Sequence, residues 1–222
     1  MSGSERRRAA ETPGEGFARF EPSNRTDGGD GAIVNGLEVL EDEKDADMRS
    51  FALDLIKKSA KTASARLQFC RLAFGAAGSA GASIDTGDAE QVTRNLIADD
   101  RTKIEWNAAR VLMPKNKVKL VLNLCLIAAA AIPRGGVINV TITGADDATT
   151  FKVTAVGTNA RLAHAVPALL AGKPENESVD AHGIQAFYTG LVARACGLAV
   201  SISARDRKST RLNSSHITIS YA

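Results

Sequence analysis

KDADMRSFALDLIKKSAKTASARLQFCRLAFGAAG, residues 44–78, mixes apolar and charged side chains with a helical period. Ile56, Ala60, Ala63, Leu67, Cys70 and Phe74 recur in steps of four and three, which keeps one apolar stripe on a single face. Lys57, Lys58, Lys61, Arg66 and Arg71 lie between them and make the other side basic and solvated. The spacing predicts one helix over 44–78, closed by Gly75 and the small residues after it, where an open or left-handed backbone costs little. At about 1.5 Å per residue such a helix is longer than the usual globular one. Its narrow seam of small and medium side chains suits packing on other helices rather than on a sheet.

Upstream, GAIVNGLEVLEDEKD (31–45) holds a second apolar set: Ile33, Val34, Leu37, Val39 and Leu40. The polar run Glu41–Asp47 is short enough to turn one helix back on the other. A lone hairpin leaves much of its seam exposed, so two copies are expected to pair into a four-helix bundle. The same pattern also describes the core hairpin of a monomer.

A chain of 222 residues has room for one large or two small domains. The net charge of +3 is weak and no Lys/Arg stripe is interleaved with aromatics, which argues against a nucleic-acid partner. Cys70, Cys125 and Cys196 sit in apolar surroundings without CxxC spacing, and are expected to be buried free thiols in a reducing compartment. MSGSERRRAAETPGEG (1–16) has no apolar core of a signal peptide, and the apolar run Val118–Pro133 is broken by Lys119 and Asn123. No membrane span is expected, and a cytoplasmic location is.

Residues 1–20 are charged and rich in Gly, Pro and Ala, a composition that favours disorder, and EPSNRTDGGD (21–30) is a loop by composition. Gly75–Gly87 is a linker of small residues and the expected domain boundary. Asp85 or Thr86 can cap a helix running to about Ala98. Ile104–Ala108 is a candidate strand anchored by Trp106, and Lys117–Ile132 a buried helix. PRGG (133–136) turns the chain into VINVTITG (137–144) and then TTFKVTAVG (149–157), two alternating strands. Leu162–Ala171 and Ile184–Ala195 read as helices, and Leu198–Ala204 as a last strand. Helix, strand, helix, two strands, two helices and a strand describe a two-layer α/β sandwich with a mixed sheet. The fold class is thus α+β, a helical hairpin followed by this sandwich.

DMRSFALDLIKKSAKTASAR, LQFCRLAFGAAGSAG and GAIVNGLEVLED together closely resemble the ChpT-type histidine phosphotransferases of bacterial phosphorelays. The resemblance runs from about Gly31 to Ala204. It implies a histidine kinase stripped of kinase activity: a homodimeric helical bundle (31–78) that carries the phosphoryl group, and a C-terminal domain (85–204) that keeps a histidine-kinase-ATPase-like fold without using it. KLVLNLCLIAAAAIP (119–133) resembles the kinase N box, with Ile127 where the metal-holding asparagine would stand. FKVTAVGTNA (151–160) resembles the DxGxG box, with Ala155 in place of the aspartate that binds adenine and Asn159 in place of the second glycine. HGIQAFYTGLVARACG (182–197) resembles the last glycine box in degraded form. No bound cofactor or metal is therefore expected, and ATP binding is not.

The resemblance implies partners as well: receiver domains of response regulators, including that of a hybrid histidine kinase, which bring their own Mg²⁺. A phosphoryl group would leave an aspartyl phosphate on one receiver, rest on a histidine of the bundle, and pass to an aspartate on a second. The docking surface would be the bundle with part of the C-terminal domain. Arg71 and Phe74, near the open end of the hairpin, are candidate receiver contacts; the alternative is a core Phe74 and a solvated Arg71.

The family's acceptor lies in a segment of the form CHDxISPxGAI, and counting back from Gly31 places the histidine at Asn24 and its acidic neighbour at Arg25. The chain's three histidines are His164, His182 and His216. His164 reads as a half-buried surface histidine and His182 as a loop cap. An amide nitrogen is not nucleophilic, so Asn24 cannot carry the phosphoryl group. Two readings stay open: a protein that binds receivers and transfers nothing, or a segment up to about Asp30 that is out of frame. After ISARD, RKSTRLNSSHITISYA departs from the family and resembles a translated sequencing adapter, so 205–222 are expected to be a non-native tail that gives His216 no role. Leu198–Ala204 would then be an unpaired edge strand. Three functions follow for comparison: a phosphotransferase that is inactive for want of its acceptor histidine, a receiver-docking dimer without chemistry, and an ATP-consuming kinase, which Ile127 and Ala155 oppose.

Overall fold

The computed structural model describes residues 29–75, 82–144, 148–174, 178–207 and 214–221. The chain divides into two compact units, 1–63 and 64–222, with the division inside a long helix. The expected acceptor position Asn24, its neighbour Arg25 and the segment 1–28 lie outside the described residues, as do 76–78 of the expected long helix.

In the first unit, α1 (Gly29–Asp42) turns into α2 (Ala46–Ala73) within three residues. Asp45 Oδ1 accepts the backbone N–H groups of Asp47 and Met48, both at 3.0 Å, and so satisfies two of the donors that a helix start leaves open. The Arg49 guanidinium reaches back to the carbonyls of Leu40 and Glu43, which closes the end of α1. The two helices meet at Gly36. A Cβ there would stand 2.6 Å from Ile56 Cγ1 and 3.3 Å from the Ala52 carbonyl, so only a glycine permits this approach. Ala52 is buried, but Val34, Leu37, Phe51 and Leu53 remain exposed.

In the second unit, Phe69 and Ala73 on the last turns of α2 enter the core. β1 (Ser83–Asp85), inside the expected linker Gly75–Gly87, pairs antiparallel with β3 (Leu112–Pro114). Asp85 then caps α3 (Thr86–Ile97) as expected, accepting from the Gly87 N–H at 2.7 Å. The main sheet has five strands in the order β2, β4, β5, β7, β6. These are β2 (Thr102–Asn107), β4 (Gly136–Thr143), β5 (Thr150–Thr158), β6 (Val200–Arg207) and β7 (Ser214–Tyr221). β2 and β4 are parallel and the other pairs antiparallel, which makes the sheet mixed.

β2 is an edge strand, and its outward backbone groups at Thr102 and the outward carbonyl at Ile104 are occupied. Asp99 accepts from the Thr102 N–H at 2.6 Å and donates its own N–H to the Thr102 carbonyl, while Arg94 Nη1 donates to the Ile104 carbonyl at 2.6 Å. Ile104, rather than the half-buried Trp106, is the residue β2 sends into the core.

α4 (Lys115–Ala131) is the centre of the second unit, with every residue from Lys117 to Cys125 buried. Leu120, Val121, Leu122 and Leu124 share one core with Ile138 and Val140 of β4 and Phe151 and Val153 of β5. Each such side chain contributes about 1.5–3 kcal/mol on leaving water. α5 (Val166–Leu170) is shorter than the expected Leu162–Ala171, because Pro167 sits in its first turn and fixes the start. α6 (Ile184–Ala195) has the expected bounds. It closes with Gly197 in the left-handed region (φ 69), the Gly197 N–H on the Arg194 carbonyl and the Leu198 N–H on the Ala193 carbonyl. This Schellman arrangement occupies Leu198 and delays the last core strand to Val200.

Two expectations fail here. β6 is not an unpaired edge: β7, from the segment expected to be a foreign tail, lies between β5 and β6 and pairs with β6 from Val200↔Tyr221 to Arg207↔Ser214. Its alternation of small polar and β-branched residues, SSHITISY, suits that slot. The cysteines are free, as expected, but only Cys125 is buried. Cys70 is exposed and Cys196 intermediate, because the stripe that carries Cys70 faces away from the core.

Candidate functional site

Three neighbouring features of the second unit carry the polar and exposed chemistry: the end of α2, a buried amide at the middle of α4, and a recess between α4 and α6. At the end of α2 the stripe read from the sequence faces outward. Leu67 is 73% exposed, Cys70 and Arg71 are exposed, and Phe74 is 42% exposed. The Phe74 ring leans on Tyr188 of α6, with centroids 5.6 Å apart and planes tilted by 49°. Phe74 is therefore neither wholly core nor wholly solvated. Burial pushes the Tyr188 phenol up, so it stays a neutral hydrogen-bonding group at working pH.

Asn123 ties these elements together. Its side chain is fully buried, donates to the Ala73 carbonyl at 3.1 Å and the Lys119 carbonyl at 2.8 Å, and accepts from Gln185 Nε2 at 2.6 Å. Ala73 is the last residue of α2, whose carbonyl has no partner within its own helix, so an amide on α4 supplies the C-terminal cap. Gln185 brings α6 into the same network. Nothing in the helical pattern singled out Asn123 or Gln185. The one trace is an asparagine interrupting an otherwise apolar run, since a buried polar group needs partners. Lys119, one turn before Asn123, is buried along its stem; desolvation, with Lys115 adding repulsion, lowers its pKa.

The positions that resemble nucleotide-binding boxes are held by apolar or merely structural residues. Ala155 is fully buried in β5, in register with Ile138 of β4, and offers a methyl group where an adenine amino group would need an acceptor. Gly157 keeps its role as a close-approach residue, since a Cβ would stand 2.5 Å from the Gly135 carbonyl. Asn159 has φ 57, the left-handed conformation expected of the glycine it replaces, and asparagine is among the few other residues that tolerate it. The backbone bend persists without the glycine.

Ile127 lies in the floor of a recess of about 140 Å³. Ala131, Leu162 and Ala186 also line it, and Arg161, His182 and Gln185 stand among the lining side chains. The volume of the recess is below the about 300–1,000 Å³ of most ligand pockets. Among the described residues no cluster of acidic, histidine or cysteine side chains could hold a metal ion, and no helix is long and apolar enough to cross a membrane. His164 and His182 are exposed. The side chain of His216, in β7, lies outside what is described.

Comparison with known proteins bears on the whole of this arrangement. The family model of the histidine phosphotransferase C-terminal domain matches residues 86–208. Over 174 residues the chain is 49% identical to the protein phosphotransferase ChpT of Brucella abortus (strain 2308), covering 78% of this chain and 82% of that protein. A solved bacterial phosphotransferase is 42% identical and superposes with a TM-score of 0.71, covering 87% of this chain and 88% of the other.

Proposed function

We propose, from the premise that this chain belongs to the histidine phosphotransferase family, that it is built to pass phosphoryl groups between receiver domains and that, with Asn24 at the acceptor position, it docks them without transferring. In the complete reaction a neutral imidazole nitrogen attacks the phosphorus of a receiver's aspartyl phosphate, the P–O bond to the carboxylate breaks, and a phosphohistidine forms. The carboxylate of a second receiver then takes the phosphoryl group and the imidazole is released. Mg²⁺ belongs to the receivers, which leaves the transferase to supply the nucleophile and the docking surface.

The carrying observation is that the first histidine in the sequence is His164, far beyond the acceptor segment. His164 and His182 belong to the C-terminal domain rather than to the hairpin. The modules of the reading are the hairpin 31–78 for dimerisation and docking, and 85–204 for a C-terminal domain that has lost nucleotide binding. Support for a homodimer comes from α2. Leu53 extends the exposed stripe by one step, and Leu53, Ala60 and Leu67 fall seven residues apart, the spacing of a bundle seam. Arg71 and Phe74 remain the proposed receiver contacts, in a cytoplasmic protein.

The test is a relay in vitro. The purified chain is mixed with a labelled receiver phosphate and Mg²⁺, and receiver binding is measured separately. The expected result is binding without label on the chain; stable label on it overturns the inactive reading. Detectable ATP binding by calorimetry would favour the kinase alternative.

A further inference from the structure

The recess between α4 and α6 joins an apolar surface to two polar side chains. Its floor is apolar, built by Leu126, Ile127, Ala131, Leu162 and Ala186. Its volume of about 140 Å³ is close to that of an engineered apolar cavity, about 150 Å³, known to take up benzene. Two cationic or donor side chains, Arg161 and His182, also line it, and among the described residues neither side chain has a hydrogen bond or ion pair. The nearby Asp180 carboxylate is already engaged by the Gly183 N–H at 2.6 Å. Gln185 lines the same space while holding Asn123.

We infer that this recess is a binding site for a small amphipathic carboxylate, a benzene-sized apolar body on the floor with its carboxylate toward Arg161. The size fits one ring or a short branched chain. A guanidinium presents parallel N–H donors to a carboxylate, and beside an apolar wall that pairing is stronger than in open water. The His182 ring adds a donor, so orientation comes from two polar groups on an otherwise apolar site, the usual composition of small-molecule pockets. The site is independent of phosphoryl transfer and of receiver docking, so the two readings fail separately.

Benzoate is the probe, and benzamide its neutral counterpart of equal size. Titration of the full-length chain is followed by the side-chain amide resonances of Gln185 and Asn123. Benzoate is expected to shift both saturably, benzamide at least tenfold more weakly. Arg161→Gln, at an exposed position, is expected to weaken benzoate at least tenfold with folding unchanged, and Ala130→Leu, on the exposed rim, to abolish the saturable shift by filling the recess. Absence of a saturable benzoate shift, equal affinity for benzamide, or a shift indifferent to both substitutions overturns the assignment.

Discussion

α4 buries every side chain from Lys117 to Cys125, whereas the longer α2 buries only Ala52, Ser59, Phe69 and Ala73. Both are rich in leucine and alanine, yet their apolar residues do different work. Those of α4 are consumed within the chain, so any change there is felt as a change in folding. Those of α2 leave a line from Leu53 to Leu67 facing out, which is the surface the proposed homodimer would cover. A sequence pattern records that a face is apolar and is silent on whether the same chain or another covers it.

The contrast can be broken first at Asn123. Asn123→Ala strands the Ala73 carbonyl and takes away the acceptor of the half-buried Gln185 amide, and is expected to cost about 2–3 kcal/mol in urea unfolding. A loss below about 0.5 kcal/mol would mean that α4 is not the support of the α2 end.

A second comparison uses pH. Burial pushes the Cys125 thiol of α4 up to about 12, against about 8.5 for an unfolded cysteine. The proton is held more tightly in the folded state, so stability is full below about pH 8.5 and falls as pH rises toward the folded value. Between pH 8.5 and 10 the fall is expected to be roughly 2 kcal/mol, and Cys125→Ala should flatten that part of the profile. The smallest expected effect on folding belongs to α2. Leu67→Glu, at 73% exposure, should change unfolding of the single chain by less than about 0.5 kcal/mol while converting a dimer to monomers in sedimentation. Unchanged association would remove α2 as the seam.

Long, periodic elements were legible in the sequence. The α2 stripe, the Asp85 cap of α3 and the bounds of α6 follow from spacing and end signals that act within a few residues. The β1–β3 ribbon was not, because three-residue strands have no period and their pairing, Ser83↔Pro114 to Asp85↔Leu112, spans about thirty residues. The place of β7 between β5 and β6 is likewise a non-local pairing. At the site, the substitutions at Ile127, Ala155 and Asn159 could be read from motif positions. The small apolar recess beside Arg161, of which Ile127 is one wall, depends on which side chains three separate segments bring together. The Phe74–Tyr188 contact has the same origin, joining residues more than a hundred positions apart.

The treatment of β2 has a bearing on how the protein keeps to itself at high concentration. A sheet grows by recruiting a foreign strand onto a row of waiting amides and carbonyls. At Thr102 and Ile104 that row is already filled by Asp99 and the Arg94 guanidinium. A would-be recruit must first displace a charged group from its carbonyl, so this edge of the sheet is a poor seed for fibres.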